Sequence, residues 1–104
     1  MPQEPWTLPR LQQQIRDLYG AKDAARGVPG TFLWFMEEVG ELAAALGGNH
    51  RHPPAEEFAD VLAWLATLAS VAGVDLNSAL EAKYGRVCPG CGKAPCACPP
   101  SEKP

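Results

Sequence analysis

Apolar residues along the 104-residue chain recur at helical spacing, and no stretch alternates in the manner of a strand. Leu11, Ile15, Leu18 and Tyr19 predict a first helix over about 9–25, with Thr7 as its N-cap and Pro9 in its first turn. Gly27-Val28-Pro29-Gly30 is expected to end it. A second helix is expected from Thr31, as N-cap, to Leu46, before Gly47-Gly48. Phe32, Phe35, Met36, Val39, Leu42, Ala43 and Leu46 give it a broad apolar stripe. Pro53-Pro54 opens a third helix, with Glu56 and Glu57 near its positive end. From Phe58 to Ala72 that helix is apolar nearly all round, which requires burial on several sides. A fourth, shorter helix follows Asp75, its expected N-cap, and fades at Gly85.

The expected fold is therefore all-α: a four-helix bundle over residues 1–87, followed by a Cys-rich, Pro-rich tail over 88–104. Three helices cannot enclose the third one and also leave a cleft open, so dimerisation is expected to complete the core, with a tetramer as the alternative.

Composition narrows the function. Hydrophobic residues make up 46% and charged residues 20%, as in an ordered domain. A net charge of −3 argues against direct nucleic-acid binding by bulk electrostatics. No segment reaches the roughly 20 apolar residues of a membrane span, and the first residues lack the pattern of a signal peptide. A cytoplasmic protein without a membrane partner is the expectation.

The candidate chemistry lies in two acidic motifs. Glu38 and Glu41 are three residues apart on the second helix, and so are Glu57 and Asp60 on the third, so each pair shares a face. Antiparallel packing of these helices would bring four carboxylates to one point. Such a cluster repels itself unless a cation sits in it, and a hard, oxygen-seeking divalent ion such as Mg²⁺, which also engages substrate phosphates, fits. Trp34 precedes Glu38 by one helical turn and Trp64 follows Asp60 by one turn, so each acidic pair has an indole beside it. A flat base next to a metal-bound phosphate chain would use that arrangement. Glu37 and Glu56 are more ordinary members of a solvated face.

Glu37-Glu38-x-x-Glu41, fifteen residues, then Glu57-x-x-Asp60, together with Thr31-Phe-Leu-Trp-Phe-Met-Glu-Glu-Val-Gly-Glu-Leu, resembles the MazG-type all-α nucleoside triphosphate pyrophosphohydrolases. The resemblance covers roughly residues 8–86. It implies Mg²⁺-dependent cleavage of a nucleoside triphosphate between the α- and β-phosphates. By position, Glu38, Glu41, Glu57 and Asp60 would hold the metal and Glu37 would orient water. The family usually places a Lys and an Asn on its last helix, aimed at the phosphates. Lys83 matches the first, but the second position holds Val87, where Arg86 is the possible substitute. Two alternatives stay open: a phosphoribosyl-ATP pyrophosphohydrolase, with a similar acidic motif, and a non-catalytic nucleotide- or protein-binding adaptor that kept the metal site.

All four cysteines fall between Cys88 and Cys98, as Cys88-x-x-Cys91 and Cys96-x-Cys98. In a reducing compartment disulfides are disfavoured, and four thiolates with Pro89, Gly90 and Gly92 between them suit structural Zn²⁺ in a knuckle. A flexible unligated tail and redox chemistry are the competing readings. His50 and His52, in a Pro-flanked loop, read as ordinary surface residues.

Overall fold

Thr7 caps the first helix as its side chain predicts: its Oγ1 accepts the Arg10 backbone N–H at 3.1 Å. The computed structural model describes residues 4–48 and 52–103, and among these the order is α1 (Leu8–Leu46), α2 (Pro54–Val71) and α3 (Leu76–Lys83), with no strand. His50 lies outside the described residues.

The break expected between the first two helices is present, but it is one residue long instead of four. Two helical segments of α1 meet at a kink where only Gly27 leaves helical geometry, with φ at 76° and ψ at −179°. Glycine adopts that left-handed φ without a Cβ penalty, so one residue bends the path and the chain re-enters the helix at once. Pro29 sits in the first turn after the break, where its missing N–H has no helical acceptor to lose. Thr31 is consequently no N-cap. It is fully buried inside the second segment, and its Oγ1 accepts the Arg26 Nε–H at 3.0 Å.

The second segment of α1 packs against α2 as the short connection between them predicts. Thr31, Phe35, Glu38, Val39, Leu42 and Ala45 form the inward row of α1, at intervals of three, four and one. Glu57, Ala66, Thr67 and Ala69 are the buried positions of α2. The core is small: among the described residues only Ile15, Ala45, Ala66 and Ala69 are buried apolar side chains. The all-round apolar character of the third predicted helix is therefore not covered within one chain. Phe58, Leu62 and Leu65 lie at i, i+4 and i+7 along α2 and are 55%, 46% and 38% exposed. Phe32, Leu33 and Met36 on α1 are exposed as well.

A polar side chain anchors the far end. Gln12 is buried; its Nε2 donates to Ser70 Oγ at 3.1 Å and to the Val74 carbonyl at 2.9 Å, and its Oε1 accepts the Leu76 N–H at 2.8 Å. The start of α3 is thus fixed to α1, and Asp75 caps α3 through bonds from the Asn77 and Ser78 N–H groups. No residue of α3 is buried. No single helix among the described residues is long and apolar enough to cross a membrane.

Candidate active site

Two stretches of helix supply the carboxylates. The stretch after Thr31 carries Glu37, Glu38 and Glu41 on α1, and the first two turns of α2 carry Glu57 and Asp60. Carboxylate oxygens of Glu38, Glu57 and Asp60 all lie within 4.8 Å of one another. Glu41 does not join that trio, but it lines the same shallow cavity of about 320 Å³, together with Glu37, Glu38, His52, Glu57 and Asp60. The sequence-derived quartet is thus brought to one cavity, with three members in closest approach and Glu41 at its wall.

Glu57 is 4% exposed, yet it has no cationic partner within ion-pair distance among the described residues. Glu38 is half-buried, and its carboxyl is held above the usual carboxylate range. Burial contributes most, followed by the negative charge of Asp60, Glu57, Glu37 and Glu41. Three acids in this proximity, one of them buried, have the donor chemistry of a hard divalent cation site. His52 is exposed and pairs with Glu56 at 3.7 Å, so the surface reading of that histidine stands, although the ring borders the cavity.

Beside the acids, Trp34 and Trp64 meet edge to face, with centroids 5.3 Å apart and planes at 69°. They line a second cavity of about 380 Å³, shared with Tyr19, Lys22, Asp23, Arg26 and Thr67, and Asp60 borders both cavities. The two indoles and the acidic cluster are therefore adjoining parts of one site. Lys83 and Arg86 border neither cavity within the chain. The Lys83 ammonium lies 5.5 Å from the Tyr84 ring centre, and Arg86 follows the end of α3 in irregular chain.

The cations that do line the aromatic cavity are Lys22 and Arg26, which the sequence reading missed. A signal existed. Ile15, Tyr19, Lys22, Asp23 and Arg26 recur at helical intervals, so an acid and a base sit on the face that holds the predicted apolar residues. Asp23 is 7% exposed.

A chain with paired acids on two packed helices and an indole pair beside them matches the model of the MazG nucleotide pyrophosphohydrolase domain over residues 29–92. It is also 37% identical over 79 residues to the dATP/dGTP diphosphohydrolase of Cyanophage S-2L, covering 76% of this chain and 71% of that protein. The chain belongs to the MazG nucleotide pyrophosphohydrolase family. It is an enzyme of the nucleotide pyrophosphohydrolase class. In this MazG domain the family match begins at Pro29, just after the Gly27 break, and takes in both acidic motifs. It also reaches the first two cysteines of the tail.

That tail forms a second cluster. The four Sγ atoms of Cys88, Cys91, Cys96 and Cys98 lie within 4.8 Å of one another. Backbone N–H groups of Gly90, Ala97 and Cys98 each donate at 3.3 Å to the sulfurs of Cys88, Cys91 and Cys96 respectively. Such donors stabilise thiolate over thiol. Cys91 is drawn down to about 6, by the Ala97 N–H first and the Lys93 N–H second. Cys88 is also lowered, by the Cys91 and Gly90 N–H groups. Cys98 goes the other way, to about 12, because its thiol bonds to Cys96 and because burial opposes its charge. Four mutually close sulfurs with amide donors around them have the donor set of a closed tetrahedral thiolate site.

Proposed function

We propose that this protein hydrolyses a purine (deoxy)nucleoside triphosphate to the monophosphate and pyrophosphate, with Mg²⁺ held by Glu38, Glu41, Glu57 and Asp60. The observation that carries the reading is the three-carboxylate cluster next to the Trp34–Trp64 pair, with Asp60 common to both cavities. The name of the cyanophage relative supports a purine triphosphate over phosphoribosyl-ATP.

An Mg²⁺ ion held by these acids would supply charge neutralisation for the phosphate chain and a more acidic water. Glu38, Glu57 and Asp60, with Glu41 on the same cavity wall, would hold the ion and through it the phosphate end. Glu37, on the wall of the acidic cavity, orients the attacking water and accepts its proton. Attack at the α-phosphorus forms one P–O bond and breaks the bond to the bridging oxygen, and pyrophosphate leaves with the electron pair. Trp34 and Trp64 hold the base. Lys83 and Arg86 act on the phosphates only if a neighbouring chain brings them there, since they border neither cavity within one chain.

The assembly is a homodimer or tetramer, in which a second chain covers Phe58, Leu62 and Leu65 together with Phe32, Leu33 and Met36. The tail binds one structural Zn²⁺ through Cys88, Cys91, Cys96 and Cys98. Removal of unwanted nucleotides from the pool, in the cytoplasm, is the physiological role that fits this chemistry. The test is purified protein with Mg²⁺ and a panel of nucleoside triphosphates, assayed separately for pyrophosphate and orthophosphate. Mg²⁺-dependent pyrophosphate release is expected. Orthophosphate alone, or no turnover of any triphosphate, would overturn the reading in favour of an adaptor.

A further inference from the structure

Arg26 is fixed in place by more of its surroundings than a surface arginine needs. Its Nε–H donates to Thr31 Oγ1 at 3.0 Å, and Thr31 is fully buried. One Nη2 hydrogen is bonded to Asp23 Oδ1, in an ion pair whose side chains are only 20% and 10% exposed. The guanidinium carbon lies 5.2 Å from the Trp34 ring centre and 4.9 Å from that of Trp64, within cation–π range of both. The stem passes close against Gly30, where a Cβ would sit 2.8 Å from Arg26 Cγ, so the glycine leaves room for this rotamer. Gly27, directly after Arg26, supplies the bend that brings Thr31 back to it.

Five N–H groups are available on a guanidinium, and Thr31 and Asp23 engage one each. The Nη1–Nη2 edge is left with donors for a ligand in the indole-lined cavity. Two parallel N–H groups on a fixed plane match a pair of acceptors at one edge of a base. Guanine offers such a pair in O6 and N7, whereas adenine presents an amino donor in place of O6.

We infer that Arg26, set by Asp23 and Thr31 against the Trp34–Trp64 pair, is a specificity-determining residue that reads O6 and N7 of a bound guanine. The inference rests on the nucleotide-hydrolase reading and assigns its base. Lys22, on the same cavity wall, has no hydrogen-bond or ion-pair partner among the described residues and so stays free for phosphate, which leaves Arg26 to the base.

The test separates binding from turnover. Tryptophan fluorescence of the full-length protein is titrated with dGMP and with dAMP, for wild type, Arg26→Lys and Arg26→Gln. The wild type is expected to bind dGMP about tenfold or more tightly than dAMP, the discrimination of one good bidentate pair. Both variants are expected to bring that ratio towards one, Arg26→Lys included, because an ammonium keeps the charge but loses the paired edge. Circular dichroism checks that each variant is folded, and Asp23→Asn, which loosens the same edge, must lower the ratio in the same direction. Equal losses for both nucleotides, with the ratio intact, would assign Arg26 to phosphate and overturn the inference. So would a wild type without preference for dGMP, or variants with wild-type ratios. Pyrophosphate release from any triphosphate is scored separately, so a protein that hydrolyses without base preference refutes this inference and leaves the hydrolase reading standing.

Discussion

Replacing Glu38 with Gln exposes the electrostatic cost of the acidic cluster directly. The amide is isosteric, and Glu38 makes no ion pair among the described residues that the change would remove. In the metal-free protein the Glu38 carboxyl titrates above its ordinary range. A raised folded value means the native state holds that proton more tightly than the unfolded chain. Its contribution to stability is therefore full in acid, below the unfolded value, and is lost as pH rises through the folded value. At neutral pH the ionised group sits within 4.8 Å of two other carboxylates, Glu57 and Asp60. Each such pair costs about 1 kcal/mol in a water-like dielectric and about 3 kcal/mol at an effective dielectric near 20. The cavity opens to solvent, so the lower figure applies, and two pairs give about 2 kcal/mol. For a domain of this size that is a rise in Tm of roughly 8–16 °C for metal-free Glu38→Gln at neutral pH. At pH 4 the difference should shrink towards zero, because wild-type Glu38 is then protonated. Millimolar Mg²⁺ should reverse the neutral-pH order: a ligand at about 100 times its Kd adds about 2.7 kcal/mol to the wild type, and the variant gains less. Scanning calorimetry at two pH values, with EDTA and with Mg²⁺, covers the four conditions. A variant that melts below wild type in EDTA at neutral pH, or a wild type indifferent to Mg²⁺, would refute the reasoning.

Gly27→Ala is expected to lower stability by about 1–2 kcal/mol, read from urea denaturation, because an L residue must adopt positive φ there while the space itself is open. Deleting residues 88–104 should leave the far-ultraviolet helical signal of residues 8–83 intact, and native mass spectrometry of the full chain should show one Zn²⁺ that Cys91→Ser loses. Below about pH 6 the zinc should dissociate more readily, as the proton competes for the Cys91 thiolate. Leu62→Glu should give an 11.1 kDa monomer by light scattering, with turnover reduced, whereas wild type runs as a dimer or larger.

Much of the site was legible because its signals are local. Two acids three residues apart share a face whatever the tertiary fold, and the Thr7 and Asp75 caps follow from side-chain chemistry within a turn. What escaped the sequence depends on events at a distance. Gly27-Val28-Pro29-Gly30 carries the residues of a helix terminator, yet only Gly27 departs from helix, and nothing local distinguishes a break of one residue from a loop of four. Thr31 reads equally well as a cap or as a buried acceptor until the partner, Arg26, is known. Nothing within a helical turn marks Gln12 as buried, and only the return of Val74 and Leu76 some sixty residues later makes it an anchor. The all-round apolar character of α2 is legible in its residues, but the single chain leaves Phe58, Leu62 and Leu65 exposed, so the expected burial on every side is not met within it.

The anchoring of α3 has a consequence for motion. That helix buries none of its own side chains, and its start is tied to α1 through two hydrogen bonds to one amide, Gln12, at the Val74 carbonyl and the Leu76 N–H. Polar attachments of this kind each contribute about 1 kcal/mol net, far below the cooperative stability of a packed helix pair. The α3 segment and the thiolate tail beyond it thus form a separate opening unit, one that exchanges its amide hydrogens well before α1 and α2 release theirs. The chain accordingly has two tiers: a slow-exchanging pair of long helices that carries the acids and indoles, and a fast-opening arm that carries Lys83, Arg86 and the four cysteines.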